Sequence, residues 1–221
     1  MFRQILRSQW LALRLPVALL AVLGFALPLL TVTYGGALEN APSATVAQWL
    51  FASQKIGILI PGLALLVGLL LGIGTWAPDH AGKHVYALSL PVPRPMYVLL
   101  RFAAGATLVA VPVLALGIGS TVAVLAVKLP SGIHAYPAQL TLRFAMACLV
   151  CFAIFFAISI STRRAALAVL GLLGGVLLAD LVLAALSVSG SASVTESVIY
   201  LLTNWPGPLA ILMGRWALFD V

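Results

Sequence analysis

The chain has 221 residues, of which 63% are hydrophobic and 8% are charged. Mean hydropathy is +1.17, whereas soluble domains carry about 25% charged residues, so a soluble globular class is excluded. The formal net charge of +7 does not indicate nucleic-acid binding, because the cations sit at the ends of apolar runs rather than along one face.

Several of those runs are long enough to cross the roughly 30 Å hydrocarbon layer of a bilayer. They predict an all-α fold: a polytopic helical membrane protein with five clear transmembrane helices plus a broken sixth or re-entrant segment. The whole of 1–221 reads as one membrane domain, with no room for a separate soluble enzyme.

Residues 1–14 place Arg3, Arg7 and Arg14 together on a helical wheel, with Phe2, Ile5, Leu6 and Leu13 opposite. That pattern predicts an amphipathic helix lying along the membrane surface. A signal peptide competes with this reading. The following apolar run, 15–33, is longer than a signal core and lacks a small-x-small cleavage site, which favours a retained first span.

Span 1 is predicted over 15–35, followed by a short polar loop at 39–48. Span 2 covers 56–76, and a polar island at 77–95 separates it from span 3 at 98–127. A second polar loop at 128–143 contains Pro130, Gly132 and Pro137. Span 4 follows at 144–161, then a tight turn of Thr162, Arg163 and Arg164, then span 5 at 165–188 and a small polar linker at 187–197. The tail, 198–221, is interrupted by Asn204-Trp205-Pro206-Gly207-Pro208. A continuous helix through two prolines is disfavoured, which leaves a kinked sixth span or two short helices dipping in and out.

Arg3, Arg7, Arg14, Lys83, Arg94, Arg101, Arg163 and Arg164 fall at span ends on one side. Lys55, Lys128 and Arg143 fall on the other, with Arg215 unassigned. This asymmetry puts the N terminus and the polar island in the cytoplasm. The five tryptophans, at 10, 49, 76, 205 and 216, lie near span ends or in the tail, as an interfacial aromatic belt would require. Gly68-x-x-x-Gly72 and Gly171-x-x-x-Gly175 suit close helix approach, either within the subunit or in a dimer.

Signals for chemistry are sparse. The nearest approach to a phosphate-binding loop is Ala81-Gly82-Lys83-His84, but Ala77 and His84 stand where Gly and Ser or Thr are needed. His80 and His84 share a helical face beside Asp79 without a metal-binding signature, and read as a solvated or partner-facing surface. Cys148 and Cys151 lie in an apolar run and read as packing. Arg101, near the cytoplasmic end of span 3, reads as a snorkelling cation. Pro61 and Pro112 can kink their spans. Asp180 falls inside span 5, where an ionisable group is a functional candidate by default. A structural hydrogen bond and a point on a transport path are both open for it.

Within the island, Asp79, Gly82 and the run Leu88-Ser89-Leu90-Pro91, followed by Val92-Pro93-Arg94, form a pattern. With the cytoplasmic setting and the amphipathic N terminus, the chain resembles ABC exporter permeases of the ABC type 2 membrane domain family. The resemblance implies that 79–90 is a coupling helix docking on a separate ATPase subunit. Asp79, Gly82, Lys83, Tyr86, Leu88, Ser89 and Pro91 would carry the contact. Residues 1–14 would be a connecting helix, presenting Arg3, Arg7, Trp10 and Arg14.

The resemblance further implies a second permease subunit, as homo- or heterodimer. ATP and Mg would be held by the ATPase partner, and this chain would bind no cofactor and catalyse no reaction. Its setting would be a bacterial or archaeal cytoplasmic membrane. The family has six spans with short re-entrant helices between the fifth and sixth, and the tail fits the re-entrant pair better than a full span. An ion-gradient-driven carrier using Asp180 and a non-transporting scaffold are the alternative functions. No internal repeat supports the carrier. An apolar lining favours lipid-like cargo.

Overall fold

A computed structural model describes residues 1–32, 42–77, 93–130, 132–160, 175, 200–204 and 207–220. Five long or medium helices dominate: α1 (Phe2–Leu30), α2 (Ser43–Gly57), α3 (Leu59–Gly74), α4 (Arg94–Ala126) and α5 (Pro137–Ile160). Helices α2 and α3 meet at Ile58 and run on as one apolar stretch. The described residues therefore hold four helical stretches long and apolar enough to cross a membrane, and the chain is a helical integral membrane protein. The predicted fifth span, 165–188, lies outside the described residues except for Gly175.

Helix α1 differs from the expected surface helix followed by a span. It is continuous over 29 residues, roughly 43 Å at 1.5 Å per residue. The reason is an unbroken buried stripe of Ile5, Gln9, Leu13, Val17, Leu20, Gly24 and Leu27. Packing along this stripe holds the helix through Pro16, with no change of face at Arg14.

Three other boundaries move toward longer helices. Pro42 precedes α2, so the predicted 39–48 loop is helical from Ser43. Pro95 lies in the first turn of α4, and Pro137 opens α5. A missing N–H costs nothing in a first turn, and a fixed φ suits it. Prolines read as loop signals at 91–95 and 128–143 are in part helix starts.

Side-chain register fixes the directions. Gln9 meets Arg101, and Gly24 lies against Pro112 and Leu116, so α1 and α4 run parallel. Gly68 faces Cys151, and Gly72 faces Phe155 and Phe156, so α3 and α5 also run parallel. Gly105 faces Phe152 and Gly117 faces Thr141, so the two pairs are antiparallel to each other. We call the end carrying residue 1 the near end.

The glycine pair of α3 serves packing within the chain. A Cβ at Gly68 would stand 2.3 Å from the Cβ of Cys151 and 2.6 Å from its carbonyl carbon. Cys148 and Cys151 are free and buried, small side chains that admit this approach. Pro112 is buried where α4 meets α1, without ending the helix.

The far end is closed by the C-terminal segment. Residues 207–220 form no α-helix: a 3₁₀ turn at Ala210–Leu212 leads to β2 (Phe219–Asp220), which pairs antiparallel with β1 (His134–Ala135). The Tyr136 amide donates to the Leu218 carbonyl at 2.9 Å. Trp216, Leu218 and Phe219 are buried, and Trp49 packs on Phe219 with ring centroids 5.0 Å apart. Over these residues the tail is a packed cap, not a sixth span.

Two glycine substitutions separate packing from propensity. Gly68→Val drives a branched side chain into the α5 backbone, and overpacking of this kind costs about 1–3 kcal/mol. Gly62→Val, one and a half turns earlier, meets nothing within 4 Å of its new Cβ. Thermal denaturation in detergent is expected to show a clear loss of stability for Gly68→Val and little change for Gly62→Val.

Candidate functional site

The polar island joins α3 to α4. Residues 78–92 lie outside the described residues, and with them Asp79, Gly82, Lys83, Tyr86, Leu88, Ser89 and Pro91. Its two roots, Thr75–Ala77 and Pro93–Tyr97, are described, and they are tied together.

The tie is Arg101. About two turns into α4 it is only 4% exposed, too buried for the snorkelling role expected from sequence. Its Nε donates to the Thr75 carbonyl at 2.8 Å, and a second guanidinium nitrogen donates to the same oxygen. That oxygen is an end carbonyl of α3, which has no intrahelical partner of its own. A cation at a helix C-terminus is also favoured by the helix dipole. The remaining terminal amino group donates to the Tyr97 hydroxyl.

Aromatic rings complete the pocket. The guanidinium carbon lies 4.9 Å from the Trp76 ring centroid and 5.6 Å from that of Tyr97. Stacking of a weakly hydrated guanidinium on such faces suits it to a desolvated position. Trp76 in turn packs on Phe156 at 5.2 Å. Phe102, Phe152 and Phe156 continue the cluster at 5.2 to 5.6 Å separations. Loop roots, α4 and α5 therefore share one aromatic cluster.

Helix α1 joins from its first turns. The Gln9 side-chain amide is fully buried and donates to the Arg101 carbonyl at 3.3 Å. Leu13 packs against Gly74, whose Cβ, if present, would stand 2.3 Å from a Leu13 methyl. Gln9 Oε1 and Trp76 Nε1 are buried without a hydrogen-bond partner among the described residues.

Arg3, Arg7, Trp10 and Arg14 are exposed and fall within roughly 60° of one another at 100° per residue. They form a stripe on α1, facing away from the Gln9 side. Of the tryptophans read as an interfacial belt, Trp10 is exposed, while Trp49, Trp76 and Trp216 are buried. Only Trp76 stands at a helix end; Trp49 lies within α2 and Trp216 in the C-terminal segment, and all three turn inward, onto Arg101, Arg143 or Phe219. Trp205 and Asp180 lie outside the described residues.

Sequence reading missed Gln9 and misread Arg101. The available signal was positional. Gln9 occupies the apolar stripe between Ile5 and Leu13, and Tyr97 stands one turn before Arg101 with a ring and a hydroxyl to receive it.

No known protein family, curated protein or solved structure matches this chain.

Removing one partner of a buried hydrogen bond leaves the other unsatisfied, at a cost of about 1–3 kcal/mol. Arg101→Met is therefore expected to destabilise the near end by that amount and to speed hydrogen exchange at the amides of Thr75 and Trp76. Arg101→Lys should not restore protection, because a single ammonium cannot reproduce the planar fork on the Thr75 carbonyl.

Proposed function

We propose that this chain is the transmembrane permease subunit of an ATP-driven exporter of the ABC type 2 kind, working with a separate ATPase subunit and a second permease. The observation that carries this reading is the Arg101 clasp. Segment 78–92 leaves α3 and returns through α4, and one guanidinium fixes both roots. A segment so anchored can hand a displacement to the helices with little loss in its own joints. Without a phosphate-binding loop in the chain, the force has to come from outside it.

In this reading Asp79, Gly82, Lys83, Tyr86, Leu88, Ser89 and Pro91 meet the ATPase. The exposed Arg3–Arg7–Trp10–Arg14 stripe lies at the same end of the bundle and borders that contact. ATP and Mg belong to the partner. Cation counts favour the cytoplasmic side for this end, and the reading takes the membrane to be a bacterial or archaeal cytoplasmic one.

Gln9 Oε1 and Trp76 Nε1 give the reading a second support. Sequences break local rules most often at working sites, and two buried atoms beside the clasp have no hydrogen-bond partner among the described residues.

Affinity purification of the full chain from its native membrane is expected to bring down an ATPase subunit and ATP hydrolysis with it. Replacing 79–90 by a Gly/Ser linker of equal length should lose both. An ATPase retained by the linker variant, or transport in sealed vesicles that needs an ion gradient and no ATP, would overturn the proposal.

A further inference from the structure

At the far end, two cavities share a wall. The first, about 500 Å³, opens between the start of α3 and the C-terminal segment. Its lining is mostly apolar and includes Ile58, Pro61, Leu65, Leu212 and Trp216. The second, about 400 Å³, has a mixed lining that includes Tyr136, Gln139, Leu140, Arg143 and Asp220. Arg215 and Ala217 line both.

Depth separates the two kinds of lining in the way an amphiphile requires. In the parallel register of α3 and α5, where 68 lies beside 151, Gly57 is level with Leu140. The apolar cavity therefore begins near the first turns of α5 and runs toward the membrane interior. The second pocket lies around the start of α5 itself, at the far interface. A cavity whose walls are mostly apolar favours hydrocarbon over water, because few groups there can hydrogen-bond.

The two arginines differ in their freedom. Arg143 is held: its fork donates to the Arg215 carbonyl at 2.6 Å and to the Met213 carbonyl, and its guanidinium lies 4.4 Å from the Trp216 ring centroid. It contributes a fixed positive charge and keeps the C-terminal segment in place. Arg215 is exposed, and its guanidinium makes no hydrogen bond or ion pair among the described residues. Among the described residues lining the pocket, two guanidiniums stand against one carboxylate, that of Asp220. A fork with no partner among the described residues matches the paired oxygens of a phosphate.

We propose that these joined cavities bind an anionic phospholipid of the far leaflet, with Arg215 on its phosphate and an acyl chain in the cavity beside Gly62. The site is independent of the exporter reading, since it concerns the chain alone and the opposite end of the bundle. Gly62 offers a clean probe, because a Cβ there meets nothing within 4 Å and the residue lines the apolar cavity.

The test is native mass spectrometry of the full chain, equilibrated in micelles containing equimolar phosphatidylglycerol and phosphatidylcholine. The wild type is expected to retain phosphatidylglycerol in several-fold excess. Arg215→Gln should bring the two lipids to parity, and Gly62→Phe should lose bound lipid of either kind. Equal retention of the two lipids by the wild type would overturn the proposal. So would an unchanged phosphatidylglycerol excess in Arg215→Gln, or undiminished lipid in Gly62→Phe.

Discussion

A helix that ends inside or near hydrocarbon has carbonyls with no water to receive them, and each needs a donor from elsewhere in the protein. The near end of this bundle is organised around one such debt at Thr75. Arg101 meets it from the neighbouring helix with two nitrogens on one oxygen. The charge is tolerated because it is stacked on Trp76 and Tyr97 and bonded at its remaining fork. Withdraw it, and the end of α3, the ring cluster and the first turns of α1 lose their common contact.

The far end uses the same device with a different outcome. Arg143 lies over Trp216 and donates to the carbonyls of Met213 and Arg215. Gly214, at φ +92°, turns the chain beneath it. Here the carbonyls belong to an extended segment rather than to a helix end, and the arginine is only partly buried. The near clasp is therefore sealed among rings, while the far one borders cavities. Sealing suits a joint, and open neighbours suit a ligand.

What could be read from the sequence follows the same physics. Hydropathy is a property of whole segments, so the four spans that fall among the described residues appear near their predicted places. Helix ends depend on single residues with two meanings. Pro95 and Pro137 exclude a helix before them and favour one after them, and reading only the first meaning shortened α4 and α5. Arg101 was legible as a cation at a span end but not as a cap, because its partner Thr75 is 26 residues away, across the segment it secures. The far-end cap was illegible for a similar reason: β1 and β2 are two residues each and exist only because α5 brings residues 134 and 220 together. The alternation that announces a strand needs more than two residues to show. The Gly68 pair, by contrast, was readable as a close approach, and only the identity of its partner, Cys151, required the fold.

The connectivity gives the clasp its mechanical meaning. Helix α1 packs mainly on α4, and α3 mainly on α5. Each pair is parallel within itself and antiparallel to the other. Segment 78–92 is thus more than a link between neighbours: it crosses from one pair to the other, and Arg101 sits at that crossing. A load on the segment acts between the pairs rather than within either. Within each pair, glycines at 119, or 68 and 72, bring the helices so close that a single methyl would collide, so the pairs resist internal sliding. Between them the near-end contacts are the Arg101–Thr75 bond, the close approaches of Leu13 to Gly74 and of Phe152 to Gly105, and the aromatic cluster. Under the proposed permease function, displacement applied at the island would pass between the pairs through these near-end contacts.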